Sequence, residues 1–510
     1  MEIELKLLIT PSDAQALWDH PLVKQHATAK PVQVPLSDTY FDTPDLDLRR
    51  AGAALRVRHA GNECSQTLQA GGSVLGGLHS RLEWESRIDG SKPDLPALRE
   101  LVDAKTLWCR LLRSPLLEER LVPVFTSQVT RTMLELRQPQ GDCVEMVLDQ
   151  GHLECGETRL PVSEIELELK SGDPAHLLDF ALALQRDIPM QIGTLSKAER
   201  GFCLLDPQPC QPVKATPVPL RKRMSVEQVF QAIANSCMAQ IQANGTGLTK
   251  AYDAACLHQM RVGLRRLRSA LAGFKDVLQA PAELRQELDW LATQLGTARD
   301  WDVLAGSTLP AAADGFPGDI QLGEVQHAAS VRSDETHAVV SAALGSQRYT
   351  RLVLSLTRWL CGCGWRESMS ERDQRRLSAG GRKFGHDLLR NTRRRMLKRG
   401  DKARGANPEE CHRLRIAVKK MRYATEFFQA FYPTKQIQSC TGTLEKLQDD
   451  LGRLIDATVA GNLLGELTDR QPHLATGAER VRDYLESNIN GLDLGIRKLL
   501  KKFAAMKFLE

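Results

Sequence analysis

Hydrophobic and polar positions alternate with a period of two through the first two hundred residues of the chain. The pattern is clearest in EIELKLLI from residue 2, ALRVRHA from residue 54, RLEWESRI from residue 81 and EIELELK from residue 164. Because strand side chains point alternately to opposite faces, each stretch predicts a β-strand with one apolar and one polar face. Short helices are predicted near residues 12–26, 94–113 and 173–186.

The period changes to 3.6 residues after about residue 224, which predicts amphipathic helices. The predicted helical runs lie near residues 224–244, 251–279, 281–305, 320–361, 371–399, 407–431, 434–468 and 474–508. Breaks rich in glycine and proline, such as GSTLPAAADGFPGD and RGDKARGANPEE, separate some of these runs. The sequence therefore predicts an α+β protein with a β-rich first part and an all-α second part.

A proline-rich stretch lies between the two parts. It carries prolines at positions 207, 209, 212, 217 and 219. Proline lacks a backbone donor and biases its predecessor away from the helical conformation, so neither a helix nor a central strand continues through it. We predict a first domain over residues 1–205, an extended linker over 206–223 and a helical domain over 224–510.

The net charge of +5 conceals opposite charges on the two parts. Residues 1–206 hold 22 Lys and Arg against 31 Asp and Glu, a net charge of −9, and residues 207–510 hold 46 against 32, a net charge of +14. Such a division indicates two units with different ligands. The acidic part is suited to cations, and the basic part is suited to a polyanion.

The chain has no stretch of about 18 consecutive apolar residues, so a membrane span is not expected. The opening MEIELKLLIT is charged and lacks the apolar core of a secretory signal. Twelve cysteines are scattered without a CxxC pair, which favours reduced thiols in a large chain. We therefore expect a cytoplasmic protein.

The polar faces of the predicted strands are unusually rich in Glu and Arg. The side chains that share such faces are Glu2, Glu4 and Lys6; Arg56 and Arg58; Arg81, Glu83, Glu85 and Arg87; Glu145 and Asp149; and Glu164, Glu166 and Glu168. For any single strand, a solvated polar face is the ordinary interpretation. If the sheet closes into a barrel, however, all these groups converge in one lumen. Carboxylate oxygens suit Mg²⁺ or Mn²⁺, and guanidinium groups suit phosphate oxygens.

The set resembles the CYTH, or triphosphate tunnel metalloenzyme, family. The matching segments are Glu2-x-Glu4-x-Lys6, TYFDTP at 39–44, LRVR at 55–58, Arg131 after FTSQV, LDQG at 148–151, IELEL at 165–169 and LSKAERG at 195–201. This resemblance implies an eight-stranded antiparallel β tunnel that hydrolyses triphosphates with Mg²⁺ or Mn²⁺.

The resemblance also implies roles for particular residues. Metal ligands would be Glu2, Glu4, Glu166 and Glu168, with Asp149 assisting. The triphosphate would be held by Lys6, Arg56, Arg58, Arg131 and Lys197. The catalytic set would comprise Lys6, Arg56, Arg58 and Glu168, with water as the nucleophile. One departure is that Gln69 stands where the family usually has a lysine, in Thr67-Leu68-Gln69.

An internal repeat marks the basic part. HQMRVGLRRLRSAL at 258–271 and HRLRIAVKKMRYAT at 412–425 share a His-x2-Arg-x3-basic-x2-Arg pattern, and LGTARDWDV at 295–303 matches LGRLIDATV at 451–459. In each copy the four polar side chains fall within an arc of about 80° on one helix face. These residues are His258, Arg261, Arg265 and Arg268, and His412, Arg415, Lys419 and Arg422.

A basic helix face is usually only solvated, but these arcs lack interleaved Asp or Glu, so their charges repel each other without an anion. The His-led motifs and RDWDV make residues 224–508 resemble the CHAD domain, a conserved-histidine α-helical domain. That resemblance implies two pseudo-symmetric four-helix bundles around a basic channel that binds inorganic polyphosphate. The histidines are then expected to contact phosphate rather than a metal ion. Further basic residues from Arg390 to Arg399 are expected to extend the surface.

Taken together, these features predict metal-dependent hydrolysis of inorganic triphosphate or short polyphosphate, with the helical domain binding polyphosphate. A thiamine triphosphatase, a class IV adenylate cyclase and a non-catalytic polyphosphate-binding scaffold are the alternatives. Few aromatic residues occur in the acidic part, which favours an inorganic substrate. Nucleic acid is a poor candidate partner because aromatics suited to base stacking are largely missing beside the arginines.

Overall fold

The computed structural model describes residues 2–249, 252–403, 408–489 and 492–506. The chain divides into two compact units. Unit 1 is Met1–Pro209 with Gly345–Gly364, and unit 2 is Cys210–Leu344 with Trp365–Glu510.

The strands of the described chain all belong to unit 1. They are β1 Glu2–Ile9, β2 Val32–Asp42, β3 Ala53–Ala60, β4 Glu63–Leu75, β5 Leu78–Arg87, β6 Val122–Arg137, β7 Cys143–Cys155, β8 Thr158–Ser171 and β9 Met190–Ile192.

The helices that precede the second part of the chain are short. They are α1 Ala14–Asp19, α2 Pro21–His26, α3 Asp47–Arg50, α4 Leu95–Leu101, α5 Leu107–Leu112, α6 Pro115–Arg120, α7 Pro174–Leu184 and α8 Lys197–Leu205. The helices that follow are mostly longer, apart from α10, α13 and α16. They are α9 Val226–Ala243, α10 Thr246–Thr249, α11 Ala254–Phe274, α12 Ala282–Val303, α13 Leu309–Ala313, α14 Ile320–Leu344, α15 Gln347–Cys361, α16 Glu371–Ser378, α17 Gly381–Lys402, α18 Pro408–Phe428, α19 Thr434–Arg470, α20 Ala475–Ile489 and α21 Leu492–Ala505. A π-helical turn, Leu304–Thr308, joins α12 to α13.

The sheet of unit 1 closes into an antiparallel barrel. Its strand order is β5-β4-β3-β2-β6-β7-β8-β1, and pairing of β1 with β5 completes the ring. The short β9 adds to the far end of β1. Together with the all-helical region that follows, this confirms the predicted α+β class and the eight-stranded tunnel.

The apolar faces of the strands point outward from the barrel and pack against helices. Leu5 and Leu7 of β1 are fully buried in one core cluster with Leu177 and Leu178 of α7. Because strand side chains alternate, placing Leu5 and Leu7 outside turns Glu4 and Lys6 towards the lumen. The tunnel is therefore polar because its hydrophobic core lies between the barrel wall and the surrounding helices.

One helix of this core comes from far along the chain. The predicted run 320–361 is interrupted at Gly345 and Ser346, where the Ser346 hydroxyl accepts a hydrogen bond from the Tyr349 amide at 3.2 Å and starts α15. Glycine favours the break, and serine is a preferred helix N-cap, so the run becomes two helices rather than one.

Helix α15 belongs to unit 1 although the helices before and after it belong to unit 2. Leu354 is fully buried in the same cluster as α7 and β1. Polar contacts accompany this packing, since Arg351 Nε donates to Gln185 Oε1 at 3.0 Å and Arg358 Nε to Asp179 Oδ1 at 2.9 Å. The Gln347 side chain also accepts from the Met190 amide of β9 at 3.2 Å.

Unit 2 repeats one helical element. The helices α11 and α18 have 21 residues each, and each carries its histidine, His258 or His412, at the fifth position. A separate buried cluster around Trp301, Val325 and Leu464 joins α12, α14 and α19. The internal repeat read from the sequence is therefore a repeat of helices. Within the described part of the chain, no helix combines the length and apolar character needed to cross a bilayer.

The placement of α15 yields a stability prediction. Leu354→Ala removes a fully buried side chain from the core of unit 1, so it should destabilise that unit by about 2–5 kcal/mol. Hydrogen exchange followed by mass spectrometry should show faster exchange in α7 and β1. Leu464→Ala, an equally buried control in unit 2, should instead accelerate exchange in α14 and α19. If Leu354→Ala accelerated exchange in α14 and α19 but not in α7, that result would contradict the assignment of α15 to unit 1.

Candidate functional site

The lumen of the barrel forms a cavity of about 470 Å³. Nine of the ten residues predicted for the tunnel line it, namely Glu2, Glu4, Lys6, Arg56, Arg58, Arg131, Glu166, Glu168 and Lys197. The tenth, Asp149, is fully buried behind Arg131 and Lys197. Closure of the sheet therefore brings together side chains that lie up to 195 positions apart in the sequence.

A buried ion-pair network occupies one side of the lumen. Lys197 Nζ lies 2.8 Å from Glu166 Oε1 and 2.7 Å from Asp149 Oδ2. Arg131 donates to both Asp149 oxygens, at 2.8 and 2.7 Å, and to Glu166 Oε2 at 3.0 Å. Lys6 also pairs with Glu166.

The cations of this network determine the charge of Glu166. Burial by itself would raise the pKa of Glu166, but the charges of Lys197, Lys6 and Arg131 outweigh burial and hold the pKa well below its ordinary value. Burial likewise opposes ionisation of Asp149, and Lys197 and Arg131 keep the pKa of Asp149 lowered. Both carboxylates are therefore ionised and compensated without any added ion.

Asp149, Glu164 and Glu166 bring carboxylate oxygens within 4.8 Å of one another and could hold a metal ion. Lys197 and Arg200 both pair with Glu164, however, so this cluster already has its counter-charges within the protein. Glu164 was not assigned to the site from the sequence. The period-two alternation of β8, which places Glu164 on the face of Glu166, is the signal that identifies it.

A second carboxylate group has fewer cations. Glu4 lies directly opposite Glu168 on β8, and Glu168 lies opposite Glu145 on β7. Burial, a hydrogen bond with Glu83 and the charges of neighbouring carboxylates raise the pKa of Glu2 to about 9. Burial also raises the pKa of Glu4, although Lys6 Nζ lies 3.0 Å away and opposes the shift.

A hard divalent cation stabilises carboxylates that are crowded together and have raised pKa values, because the ion takes the place of a shared proton. The donor set of Glu2, Glu4 and Glu168 therefore fits the metal that the sequence resemblance implies. Lys170 Nζ pairs with Glu168 at 2.7 Å, so it compensates the charge of Glu168 within this group.

Arginines form the opposite side of the lumen. Arg58 donates a bidentate pair of hydrogen bonds to Asp38, both at 2.8 Å. Arg56 Nη1 lies 3.6 Å from Asp38, and its Nη2 lies 3.8 Å from Glu83. The Arg56 Nε atom is buried without a hydrogen-bond partner among the described residues. Arg56 thus retains donors for an oxyanion.

Several lining residues were not assigned roles from the sequence, although alternation along β5 and β7 points to most of them. They are Arg81, Glu83, Glu85, Glu145 and Lys170. Gln69 also lines the lumen, where its amide donates to Glu83 Oε2 at 2.8 Å. The position of the usual family lysine therefore faces the tunnel but carries no charge.

Backbone hydrogen bonds fix the position of Lys6 in the wall of the lumen. The Lys6 amide donates to the Gly77 carbonyl and the Gly193 amide donates to the Lys6 carbonyl, both at 2.9 Å. His79 Nε2 lies 2.9 Å from the Gly193 carbonyl, and Arg81 Nη2 donates to His79 Nδ1 at 2.7 Å. A guanidinium can only donate, so His79 is neutral with its proton on Nε2.

Unit 2 contains a basic cavity of about 680 Å³. Seven of the eight predicted polyphosphate contacts line it, namely His258, Arg261, Arg265, Arg268, His412, Arg415 and Lys419. The eighth, Arg422, does not line it and pairs with Glu426 at 3.0 Å. The two arcs, 154 positions apart in the sequence, therefore face one space.

The two repeats are matched in their internal contacts. Arg261 Nη1 lies 3.2 Å from Asp300 Oδ1, and Arg415 Nη2 lies 3.3 Å from Asp456 Oδ1. Each aspartate comes from the second matched segment of its own repeat. The duplicated segments thus reproduce the same Arg–Asp pair.

Four cations of the basic cavity are uncompensated. Arg265, Arg299, Lys419 and Lys420 form no ion pair with any residue in the described ranges, and the Arg265 Nε atom is buried without a hydrogen bond. Burial and the charges of Arg265, Arg415 and Arg261 lower the pKa of Lys419 to about 6. Burial and surrounding arginines also lower the pKa of His258 to about 4. This surplus of positive charge calls for an anionic ligand.

Comparisons with known proteins agree with both units. The model of the CYTH domain matches residues 1–202, and the model of the CHAD domain matches residues 232–465. An inorganic triphosphatase of Haemophilus influenzae is 34% identical over 206 residues. That match covers 40% of this chain and 54% of the Haemophilus protein, little more than half its length.

Two further relatives concern the whole chain and the helical part. An uncharacterized protein of Mycobacterium tuberculosis is 27% identical over 98% of this chain and 97% of its own length. The crystal structure of the CHAD domain from the plant Ricinus communis is 34% identical in sequence, with a TM-score of 0.53, and covers 59% of this chain and 99% of the plant domain.

The two parts of the chain are thus a closed antiparallel tunnel with acidic and cationic walls and a helical unit with a duplicated basic motif. The chain belongs to the CHAD family through its helical part, and its residues 1–202 match the CYTH domain.

The environment of His79 gives a pH prediction. Burial and the charge of Lys6 lower the pKa of His79 to about 4 in the folded protein, from an ordinary value of 6.5. Between these values the unfolded chain binds more protons, so stability is fully present above pH 6.5 and decreases as the pH falls towards 4, by roughly 3 kcal/mol at most. Urea unfolding of unit 1 at pH 7, 5.5 and 4.5 should show that His79→Gln loses less stability than the wild type. Equal losses of stability in His79→Gln and the wild type would contradict the assignment of this pH dependence to His79.

Proposed function

We propose that unit 1 hydrolyses inorganic triphosphate, or short-chain polyphosphate, to diphosphate and phosphate in a metal-dependent reaction, while unit 2 binds polyphosphate. The observation that carries the proposal is the division of one lumen into a crowded carboxylate side, with Glu2, Glu4 and Glu168, and an arginine side, with Arg56 and Arg58. A substrate with many negative oxygens and bound cations fits both sides.

Glu2, Glu4 and Glu168 would hold Mg²⁺ or Mn²⁺ through carboxylate oxygens. When bound, the divalent ion supplies charge neutralisation and polarisation of phosphate oxygens. Glu166 and Asp149, also expected to be ligands from the sequence, are paired with Lys197 and Arg131, so we assign them first to holding those cations in place.

The cations bind and orient the substrate. Arg56 and Arg58 contact one part of the phosphate chain, and Lys6, Arg131 and Lys197 contact another, each already aimed into the lumen. Glu168 is assigned to orient the attacking water and accept its proton, because it faces the lumen outside the buried ion-pair network. Gln69 leaves β4 without a cation in the lumen, so we expect weaker substrate binding or a changed preference for chain length.

The main test is phosphate release from tripolyphosphate, thiamine triphosphate and ATP, each with Mg²⁺ and with Mn²⁺. Tyr40 is the aromatic side chain that lines the tunnel within the described chain, so a base or thiazole ring has little to stack on. We expect tripolyphosphate to be the preferred substrate. Preference for thiamine triphosphate would favour the thiamine triphosphatase alternative, and no release from any substrate would favour a binding scaffold.

Glu4→Gln should lower kcat/KM for tripolyphosphate by more than about 100-fold, because even the partners of metal ligands contribute 10- to 100-fold. The substitution keeps the volume of the side chain and removes its charge. The matched control is Glu157→Gln, which is exposed at the β7–β8 turn and should leave activity unchanged. Wild-type turnover of Glu4→Gln at saturating metal would contradict its role.

The basic cavity of unit 2 supports the second part of the proposal. Both repeats contribute cations to it, and four of the lining cations form no ion pair in the described chain. A polyphosphate chain would supply that charge and release its own counter-ions, so binding should weaken steeply as salt increases.

The double variant Arg265→Glu with Lys419→Glu should abolish binding of the full-length protein to long-chain polyphosphate at 0.15 M salt. Arg382→Glu with Lys383→Glu, an exposed Arg and Lys on α17, is the matched charge control. Retention on immobilised polyphosphate across a salt series measures both. Equal losses would mean a general polyanion surface rather than a shaped site.

Lys419 adds a pH signature to the same experiment. With a pKa of about 6 in the free protein, Lys419 is mostly neutral at pH 7.5, and a bound polyanion should recharge it. Affinity should therefore fall as the pH rises from 6 to 8, and binding should take up protons. Calorimetry in buffers of different ionisation enthalpy should show less proton uptake for Lys419→Met.

We further propose a cytoplasmic location. All twelve cysteines are free thiols, in agreement with a reducing compartment.

A further inference from the structure

A second cavity of unit 2, of about 480 Å³, lies among α11, α17 and α18. Its inner wall is apolar and includes Phe274, Leu388, Ala417 and Phe427. The small side chains of α11 and α18 at this crossing leave the space open. The volume falls within the range of about 300–1,000 Å³ of small-molecule sites.

Cations surround the opening of this cavity. Arg395, Lys398, Lys402 and Lys420 line it and form no ion pair with another described residue. No Asp or Glu of the described chain contributes to its wall. Two further arginines of the wall are paired, since Arg399 pairs with Glu410 and Arg413 pairs with Glu409 and Glu410.

The composition of the wall limits the ligand. Inorganic polyphosphate has no apolar part, so it would leave the half-buried Leu388 and the exposed Ile416 of the wall in contact with water. A neutral apolar ligand would fill the space but would leave four like charges without an anion at the rim. A hydrocarbon chain with an anionic phosphate head satisfies both parts of the wall.

We propose that this cavity binds an amphiphilic phosphate, an alkyl or isoprenyl chain esterified to phosphate, with its tail in the cavity and its head on the rim cations. Ser269, Ala272, Ile416 and Lys420 also line the basic cavity, so the two spaces adjoin. A head group of more than one phosphate would extend towards the basic cavity. The tail site depends neither on hydrolysis in the tunnel nor on binding of inorganic polyphosphate.

Calorimetric titration of the full-length protein tests the proposal with three probes below their aggregation concentrations. The probes are dodecyl phosphate, inorganic phosphate, which lacks the tail, and dodecyl maltoside, which lacks the charge. Dodecyl phosphate should bind in a 1:1 complex at least tenfold more tightly than either of the other two. Inorganic phosphate binding as tightly as dodecyl phosphate would overturn the tail site, and equal binding of dodecyl maltoside would overturn the role of the rim.

Variants assign the binding to this cavity. Ala417→Phe fills the space and should weaken the binding of dodecyl phosphate at least tenfold. Its affinity for long-chain polyphosphate should change less than twofold, because Ala417 lines this cavity but not the basic one. Ala417→Leu is a smaller filling change for use if the Phe variant is unstable. Unchanged binding of dodecyl phosphate in a folded filling variant would overturn the proposal.

The double variant Lys398→Glu with Lys402→Glu tests the rim and should weaken the binding of dodecyl phosphate at least tenfold. Lys435→Glu with Lys446→Glu, two exposed lysines of α19 outside the cavity, is the matched control and should leave its affinity unchanged. Equal losses in the two double variants would reduce the effect to net charge and would overturn a specific head-group site. Failure of the unaltered protein to bind long-chain polyphosphate, with dodecyl phosphate still bound, would contradict the proposed function of unit 2 and would leave the tail site standing.

Discussion

Charge compensation inside a closed barrel is the constraint on which the rest of unit 1 depends. A buried charge is costly unless it is paired, and the lumen holds many. Lys197, Arg131, Glu166 and Asp149 meet this requirement with one another at 2.7–3.0 Å. On the neighbouring strand face, Glu2 forms no ion pair with a described residue and Glu4 shares Lys6 with Glu166, and burial raises the pKa values of Glu2 and Glu4. The same tunnel therefore contains a region whose charges are compensated by the protein alone and a region whose carboxylates an added cation would stabilise.

The cost of a polar lumen is offset by the apolar outer wall of the barrel. Every strand that presents Glu or Arg inward presents Leu, Val or Ile outward, and those residues need a covering layer. Helix α15 supplies part of that layer from a position between segments of unit 2 in the sequence. Its Gln347 contacts β9, beside the Gly193 loop that holds Lys6 and His79. Packing on the outside of the wall thus supports the position of charged groups on the inside.

Unit 2 uses charge in the opposite way. Its two repeats share an internal Arg–Asp pair, which fixes one arginine of each arc. Arg265 and Lys419 remain without an ion pair in the described chain, and burial together with the charges of Arg265, Arg415 and Arg261 lowers the pKa of Lys419 to about 6. Without a ligand, the cations of this cavity repel one another, and a bound anion reduces that repulsion. Adjacent to it, the apolar cavity of α11, α17 and α18 adds a surface that phosphate alone does not use.

The sequence by itself determined the local pattern of the protein. Alternation with a period of two predicted the strands and the shared faces of Glu2, Glu4 and Lys6, and the repeated His-led motif predicted two equivalent helices. These features follow from the directions of neighbouring side chains, which depend on short-range geometry alone.

Tertiary structure decided how the charges are compensated. Glu166 and Glu168 look alike in the sequence, yet Glu166 is held by Lys197, Lys6 and Arg131, whereas Glu168 lies beside Glu4 and Glu145. Helix α15 likewise reads as part of the helical half and packs in the core of the barrel unit. Both outcomes depend on contacts between residues that are distant in the sequence, such as Lys6 with Glu166, 160 positions apart, and Leu354 with Leu177, 177 positions apart. Such contacts are formed only when the barrel closes and its outer face is buried.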